Sequence, residues 1–146
     1  MIHAETIQPS VIAAATSTRR PRRVLRRVGA VAAGLVAIFA VTTVTDLVMH
    51  ATGVYPPSGA PPMSSALFLL AFAYRFVFAV AGCWLTARLA PDRPMRHAMV
   101  LGAIGLVLSI AGAATMWNAG PHWYPIAVAA SALPCAWLGG RLQRRG

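Results

Sequence analysis

Four long apolar runs, separated by short polar segments, dominate the chain. They cover about residues 28–50, 64–87, 98–117 and 123–140, and the third run contains no charged residue. Each is close to the roughly 20 apolar residues that a helix needs to cross the hydrocarbon core of a bilayer. Unpaired backbone amides that face lipid cost several kcal/mol each, so such runs cross a membrane as α-helices. The pattern predicts an all-α membrane protein with four transmembrane helices.

The composition excludes a water-soluble globular domain. Hydrophobic residues make up 58% of the 146 residues and charged residues only 11%, whereas soluble domains carry about 25% charged residues. The formal net charge of +10 resembles that of a nucleic-acid-binding protein. All thirteen basic residues are arginines that lie mostly in blocks between the apolar runs, so we expect lipid rather than nucleic acid as the partner.

The positions of the arginines predict the topology. Six precede the first run, three lie between the second and third runs, and three follow the fourth run, while the other two loops contain none. The positive-inside rule places these twelve arginines in the cytoplasm, with both termini on that side. Short connections make consecutive helices antiparallel. We therefore expect an up-down bundle in the inner membrane of a bacterium, with N-in and C-in topology.

The two ends of the chain, outside the four runs, are predicted to be basic tails. Residues 1–27 lack hydrophobic periodicity and read as a disordered cytoplasmic tail, and residues 143–146 form a basic C-terminus. The arginines from Arg19 to Arg27 are expected to bind anionic lipid headgroups, at about 1 kcal/mol per basic residue near the surface. The first run is too long for the core of a cleavable signal peptide, so the first helix is expected to remain in the protein.

Small residues recur at every fourth position in three of the predicted helices. Such rows let helix backbones approach closely in lipid. The pattern predicts close packing within the bundle, with contact to a second copy of the chain or to another membrane protein as an alternative. The rows are Ala30 and Gly34; Gly105, Ser109 and Ala113; and Ala132, Ala136 and Gly140.

Two ionisable residues fall inside the apolar runs, Asp46 in the first and Arg75 in the second. A charge near the bilayer centre is costly and is normally paired. Helical side chains lean toward the N-terminus of their own helix, which brings these two together if the helices are antiparallel. We therefore predict an intramembrane ion pair, which either fixes the register of the two helices or forms a proton or substrate site. Tyr74 is expected to point to a different face from Arg75.

Other candidate chemistry is sparse. His50 lies one helical turn beyond Asp46, and His122 lies in the other arginine-free loop, so these three residues are candidates for one polar cluster at the outer face. Metal-binding motifs are missing from the sequence, and we predict neither a metal nor a cofactor. Cys83 and Cys135 fall near the reducing cytoplasmic side, where a structural disulfide is not expected. Without a recognisable catalytic constellation, the chain is predicted not to be an enzyme.

Several stretches of the chain resemble a group of small four-helix bacterial membrane proteins that have no assigned function. The resemblance covers about residues 28–143 and implies a multi-pass membrane protein, without transferring any catalytic residue. Small multidrug-resistance transporters are similar in size and helix count, but they use a Glu in the first helix, which this chain lacks. The stretches that carry the resemblance are Thr45–His50 continuing to Tyr55–Pro57, Ala73–Arg75, Ala87–Met95 and Gly120–Pro125.

Three functions stay open at this point. The first is a non-enzymatic multi-pass inner-membrane protein that associates with other membrane components. The second is a small transporter or exporter component that uses Asp46 and Arg75. The third is a subunit that contributes helices to a larger membrane enzyme complex.

Overall fold

The computed structural model describes residues 9–57, 63–118 and 120–144, with side chains described from Arg22 onward. The described residues form four α-helices and no strand. The helices are α1, Pro9–Ala51; α2, Ser65–Leu89; α3, Pro94–Thr115; and α4, Trp123–Gln143. The prediction of an all-α chain with four helices is therefore confirmed.

Helix α1 is much longer than the first apolar run. It begins at Pro9 and continues to Ala51, so the prediction of a disordered tail over residues 1–27 is wrong from Pro9 onward, and residues 1–8 lie outside the described residues. The segment that follows Pro9 is rich in Ala and Arg, which are strong helix formers. A proline is also well tolerated in the first turn of a helix. Helical propensity therefore extends α1 beyond the part that lipid requires.

Three of the helices are long and apolar enough to cross a membrane: α1 from Arg22 to Ala51, α2 and α3. Helix α4 does not meet the same criterion of length and hydropathy. Composition therefore supports three of the four expected membrane spans. The Trp, Tyr, Pro and Gly residues of α4 lower its mean hydropathy, because indole and phenol rings favour the interface over the hydrocarbon core.

Large apolar side chains cover the outside of the helices, while small residues fill the inside. Val36, Phe39 and Leu47 are each more than 60% exposed, which is the arrangement expected of a surface that faces lipid. The buried residues are mostly Ala, Gly and Cys, with Leu101 as the largest. Packing through small residues brings helices close together where lipid removes the hydrophobic driving force.

The helices pack most closely near the end that carries Arg27, Arg88 and Arg141, which we call the basic end. In α1, a Cβ added at Gly34 would lie 2.8 Å from the carbonyl oxygen of Gly82 in α2. Between α3 and α4, a Cβ added at Gly102 would lie 2.4 Å from that of Ala136. The predicted rows in α1 and α4 thus serve contacts within the chain.

The row of small residues in α3 does not make such close contacts with a neighbouring helix. A Cβ added at Gly105 would meet nothing within 4 Å, so the expectation that this row packs against another helix is wrong. Helix α1 contacts α2 and α3, but among the described residues its Cα atoms stay more than 8 Å from those of α4. The small side chains of α3 therefore border open space between α1 and α4.

Candidate functional site

The structure brings Asp46 of α1 and Arg75 of α2 together. The Nη2 atom of Arg75 lies 2.6 Å from Oδ2 of Asp46. The side chain of Asp46 is 30% exposed and that of Arg75 is 31% exposed, so the pair is neither fully buried nor on an open surface. Each charge is compensated by the other, as expected for ionisable residues within a membrane-spanning bundle.

Three tyrosines extend the ion pair into a network. The hydroxyl of Tyr74 donates a hydrogen bond to Oδ1 of Asp46. The hydroxyl of Tyr55 lies 3.0 Å from that of Tyr74 and donates to it, because the proton of Tyr74 is already committed to the carboxylate. On the other side, Nη1 of Arg75 donates to the hydroxyl of Tyr124 at 2.6 Å. The network therefore links α1, α2, α4 and the segment after α1.

Tyr74 and Arg75 converge on Asp46, although Tyr74 was expected to point to a different face of α2. Consecutive residues of a helix point about 100° apart, but both side chains are long enough to converge on one carboxylate with two oxygens. Arg75 donates a hydrogen bond to Oδ2 of Asp46, and Tyr74 donates one to Oδ1. The guanidinium carbon also lies 5.4 Å from the centre of the Tyr74 ring, so the two residues act on Asp46 together.

The turn after α1 places Tyr55 in this network. Gly53 adopts a positive φ of 74°, a conformation that glycine accepts without steric cost. The chain then turns back, and the amide of Tyr55 donates to the carbonyl of Met49 at 3.0 Å. Tyr55 becomes only 4% exposed, and the ring of His50 packs edge-on against it at 5.3 Å between centroids.

Helix α4 presents Tyr124 from its first turn. Its backbone amide donates to the carbonyl of Pro121, and its ring packs on Phe68 of α2 at 5.1 Å between centroids. A Cβ added at Gly120 would lie 2.4 Å from the Phe68 ring, so the segment before α4 passes directly over that ring. We call the end of the bundle that holds Tyr55, Tyr74 and Tyr124 the tyrosine end.

A cavity of about 460 Å³ opens beside the ion pair at the tyrosine end, and we call it the end cavity. All four helices contribute to its wall, and its volume falls within the 300–1,000 Å³ typical of small-molecule sites. Residues of its wall that carry polar groups are Asp46, His50, Tyr55, Arg75, Ser109 and Tyr124.

A second cavity of about 390 Å³ lies between the middle parts of the four helices, and we call it the middle cavity. Its wall is largely apolar and contains Phe39, Phe72, Phe76 and Leu108. Asp46, Arg75, Ser109 and Val128 line both cavities. The ion pair therefore contributes to the walls of both cavities, and both walls are largely apolar.

The structure places the two candidate histidines differently. His50 lines the end cavity, and its Nδ1 donates to the backbone carbonyl of Asp46 at 2.8 Å. His122 lines neither cavity and stacks on the indole of Trp117 at 4.6 Å between centroids. The predicted grouping of His122 with Asp46 and His50 therefore stays a prediction. The residues that line the end cavity here are Tyr124, Pro125 and Val128 of α4, with Pro121 just before the helix.

No group of three His, Cys, Asp or Glu side chains that could hold a metal ion occurs among the residues that the structure describes. Cys83 and Cys135 are both buried and not disulfide-bonded. The Sγ of Cys135 lies 3.8 Å from the carbonyl oxygen of Phe76. These cysteines belong to the close packing of α2 against α4.

A second ion pair, missed from the sequence, lies at the basic end. Arg27 donates to Asp92 through Nε at 3.0 Å and through Nη2 at 2.5 Å. These hydrogen bonds hold the pKa of Asp92 below its ordinary value. Arg27 was expected to belong to the lipid-binding tail, but its place on the extended α1 puts it within reach of the turn between α2 and α3.

The tyrosines of the site were also missed, because aromatic residues near helix ends are typical of the membrane interface. One signal pointed to them. A buried phenol needs a hydrogen-bond partner, and Asp46 and Arg75 are two charged groups inside the apolar runs that can supply one. The chain matches no protein-family model, no curated protein and no solved structure, so the resemblance to small four-helix membrane proteins stays a prediction.

Proposed function

We propose that this chain is a non-enzymatic, multi-pass protein of the bacterial inner membrane that binds a small ligand at the Asp46–Arg75 pair, as a small transporter or exporter component. The observation that carries the proposal is the position of the pair, which lines both the end cavity and the middle cavity. Charged residues in a membrane that face a cavity typically mark a substrate pathway.

The cavities favour this function over a purely structural pair. An ion pair that only fixed helix register would be best packed against its neighbours, because unfilled space forfeits dispersion contacts. Here about 30% of each side chain remains exposed, and α3 turns Gly105 and Ser109 toward the open space. The sequence alone left ligand transport and association with other membrane components open, and this geometry supports transport better.

The proposal includes an up-down arrangement in which all four helices cross the bilayer. Contacts of α4 with α3 run in opposite directions along the two helices, from Gly102 with Ala136 to Ala98 with Gly140. At the basic end the guanidinium of Arg141 lies over the ring of Trp137, as expected for an interface anchor. These contacts support a membrane-spanning α4, with the basic end and both termini in the cytoplasm.

The proposed orientation gives the exposed arginines a role at the inner leaflet. Arg22, Arg23 and Arg26 are exposed on α1 and would lie near anionic headgroups, which attract basic side chains. Arg27 has Asp92 as a partner instead. Association with a second copy or another membrane protein remains part of the prediction, separate from the ligand site.

The test is genetic complementation. A strain that lacks the gene is profiled across ions, pH, drugs and envelope stress, and a growth defect is then complemented with variants. We expect Asp46→Asn and Arg75→Gln to fail in complementation even when their expression is raised until their membrane levels match wild type. The matched control Arg88→Gln, at the basic end, should complement fully, because Arg88 lies over Trp84 and away from both cavities.

The charge-swapped variant, Asp46→Arg with Arg75→Asp, separates function from folding. A swap that restores the protein level without restoring growth supports a ligand site. A swap that restores both level and growth shows that the pair has only a structural role and overturns the proposal. Full complementation by Asp46→Asn and Arg75→Gln at normal level would overturn it as well.

A further inference from the structure

We infer that the ligand of this site is a neutral amphiphile, with a carbonyl oxygen in its head and a hydrocarbon tail; the inference rests on the proposed function. The head occupies the end cavity beside Arg75 and Tyr124, and the tail extends into the middle cavity. Three properties of the site carry this assignment: its unused hydrogen-bond donors, its balance of charge and the apolar wall of the middle cavity.

Hydrogen-bond donors that have no partner among the described residues remain on Arg75 and Tyr124, beside the ion pair. A guanidinium has five N–H groups, and Arg75 uses one on Asp46 and one on Tyr124. The hydroxyl of Tyr124 accepts from Arg75 and keeps its own proton for another acceptor. Each oxygen of Asp46 already accepts a hydrogen bond, from Tyr74 or from Arg75. A ligand that completes this set brings an acceptor, such as a carbonyl oxygen.

The charge of the site is already balanced. Asp46 and Arg75 neutralise each other, and the other described residues with polar groups that line the end cavity are His50, Tyr55, Ser109 and Tyr124. An anionic ligand would add an uncompensated charge within the bilayer, and a cation would do the same with the opposite sign. A neutral head with an acceptor satisfies the donors without that cost.

The middle cavity is suited to a hydrocarbon tail. Phe39, Phe72, Phe76 and Leu108 contribute to its wall, and its volume is about 390 Å³. It meets the end cavity at Arg75 and Asp46, so one molecule can place its head and its tail on the two sides of the pair. Sites for small molecules commonly combine a mostly apolar wall with a few polar groups that fix the orientation.

The test uses the full chain in lipid nanodiscs, with decylubiquinone as a neutral carbonyl probe and empty nanodiscs as the measure of partition into lipid. We expect saturable binding above the empty nanodiscs. With ¹³C-labelled ring carbonyls, we expect the infrared carbonyl band to move to lower frequency, because a hydrogen bond weakens the C=O bond. Dodecanoate serves as the anionic probe, and we expect it not to compete.

Two variants probe the two ends of the ligand. Tyr124→Phe removes one donor and should weaken binding about tenfold and reduce the shift of the carbonyl band. Gly105→Leu places a side chain in the middle cavity, where an added Cβ meets nothing within 4 Å. Gly105→Leu should weaken the binding of decylubiquinone about tenfold or more. It should leave unchanged the binding of the same quinone head without its decyl tail. Gly29→Leu is the matched control, because Gly29 also has room for a Cβ but lines neither cavity.

The outcomes separate the ligand class from the function. Saturable binding of dodecanoate without binding of decylubiquinone, an unshifted carbonyl band, or equal weakening by Gly29→Leu and Gly105→Leu overturns the neutral amphiphile. If complementation still depends on Asp46 and Arg75 in that case, the proposed ligand site stands and only the ligand class is wrong. If complementation does not depend on the pair, the proposed function itself fails.

Discussion

Arg27 holds Asp92 through two parallel hydrogen bonds, so the α1 helix is tied to the turn between α2 and α3 at the basic end. The fork of a guanidinium matches a carboxylate in this bidentate geometry. Both side chains are more than 40% exposed, so water and salt screen the pair. The contact therefore adds orientation to the fold more than it adds stability.

The Arg27–Asp92 pair predicts a stability that depends on acid. Because the pKa of Asp92 is lowered in the folded state, its contribution is present above the ordinary pKa of an aspartate, about 3.9. The contribution is lost as pH falls through the lowered pKa. We expect a small loss in Tm for Asp92→Asn at pH 6 in low salt, and that difference from wild type should shrink progressively as the pH falls below the ordinary pKa of an aspartate, about 3.9.

Scanning fluorimetry in detergent at several pH values measures this difference. High salt at pH 6 provides the control, because the Debye length falls to about 3 Å at 1 M and an exposed pair is then screened. A difference between wild type and Asp92→Asn that does not shrink as the pH falls below about 3.9 would show that the effect does not come from the charge of Asp92.

Asp46 and Arg75 are predicted to be energetically coupled. Removing one partner of a buried ion pair costs about 3–5 kcal/mol, because the other charge is left unpaired. Since about 30% of each side chain is exposed, we expect about 2 kcal/mol for Asp46→Asn or Arg75→Gln. The double variant should cost about 1–2 kcal/mol less than the sum of the single ones. Unfolding by SDS in mixed micelles measures each free energy.

If the losses in unfolding free energy of the two single variants add up to that of the double variant within about 0.5 kcal/mol, the two side chains do not interact in the micelle. Tyr74→Phe refines the same experiment, because it removes the hydrogen bond to Oδ1 of Asp46 and leaves Arg75 in place. A hydrogen bond to a charged group contributes about 1.5–3 kcal/mol, so we expect Tyr74→Phe to destabilise toward the lower end of that range.

Gly34 is predicted to tolerate no side chain. A Cβ at this position would lie 1.8 Å from Oγ1 of Thr86 and 2.8 Å from the carbonyl oxygen of Gly82. Overpacking of this kind costs about 1–3 kcal/mol, so Gly34→Ala should unfold at lower SDS than wild type. Gly29→Ala on the same helix is the matched control, because a Cβ there meets nothing within 4 Å, and alanine favours a helix over glycine by about 1 kcal/mol.

Adding Thr86→Ala to Gly34→Ala should recover part of the stability, because it removes the hydroxyl that the new methyl group would meet. The carbonyl of Gly82 remains in the way, so the recovery should be incomplete. Equal stability of Gly34→Ala and Gly29→Ala would show that α1 and α2 are farther apart than the structure places them.

The sequence predicted what depends on hydropathy and on single charges. The four helices follow from four apolar runs, and the pairing of Asp46 with Arg75 follows from the cost of an isolated charge in lipid. The sequence could not predict that α1 begins well before residue 28, because a basic, Ala-rich segment outside lipid can be helical or disordered. The Arg27–Asp92 contact depends on that extension and was missed with it.

The cavities could not be predicted for a different reason. A row of small residues such as Gly105, Ser109 and Ala113 is compatible with close packing and equally with open space. Which of the two results depends on where the neighbouring helix lies, and here α1 approaches α3 near Leu101 and not along this row. The convergence of Tyr74 on Asp46 likewise depends on the distance between two helices, which periodicity does not supply.

The last prediction concerns α4, whose mean hydropathy alone does not qualify it as a span. Its contact with α2 places Gly139 against Val80, Cys83 and Trp84, on a helix that does qualify, and we predict that α4 crosses the bilayer beside it. Alkaline phosphatase fused after Pro57 or Asn118 should be active in the periplasm, and fusions after Asp92 or after the last residue should be inactive. If α4 stayed on one side of the membrane, the fusions after Asn118 and after the last residue would report the same compartment. In that case the arginines after α4 would lie opposite those between α2 and α3, against the charge asymmetry that orients the other three helices.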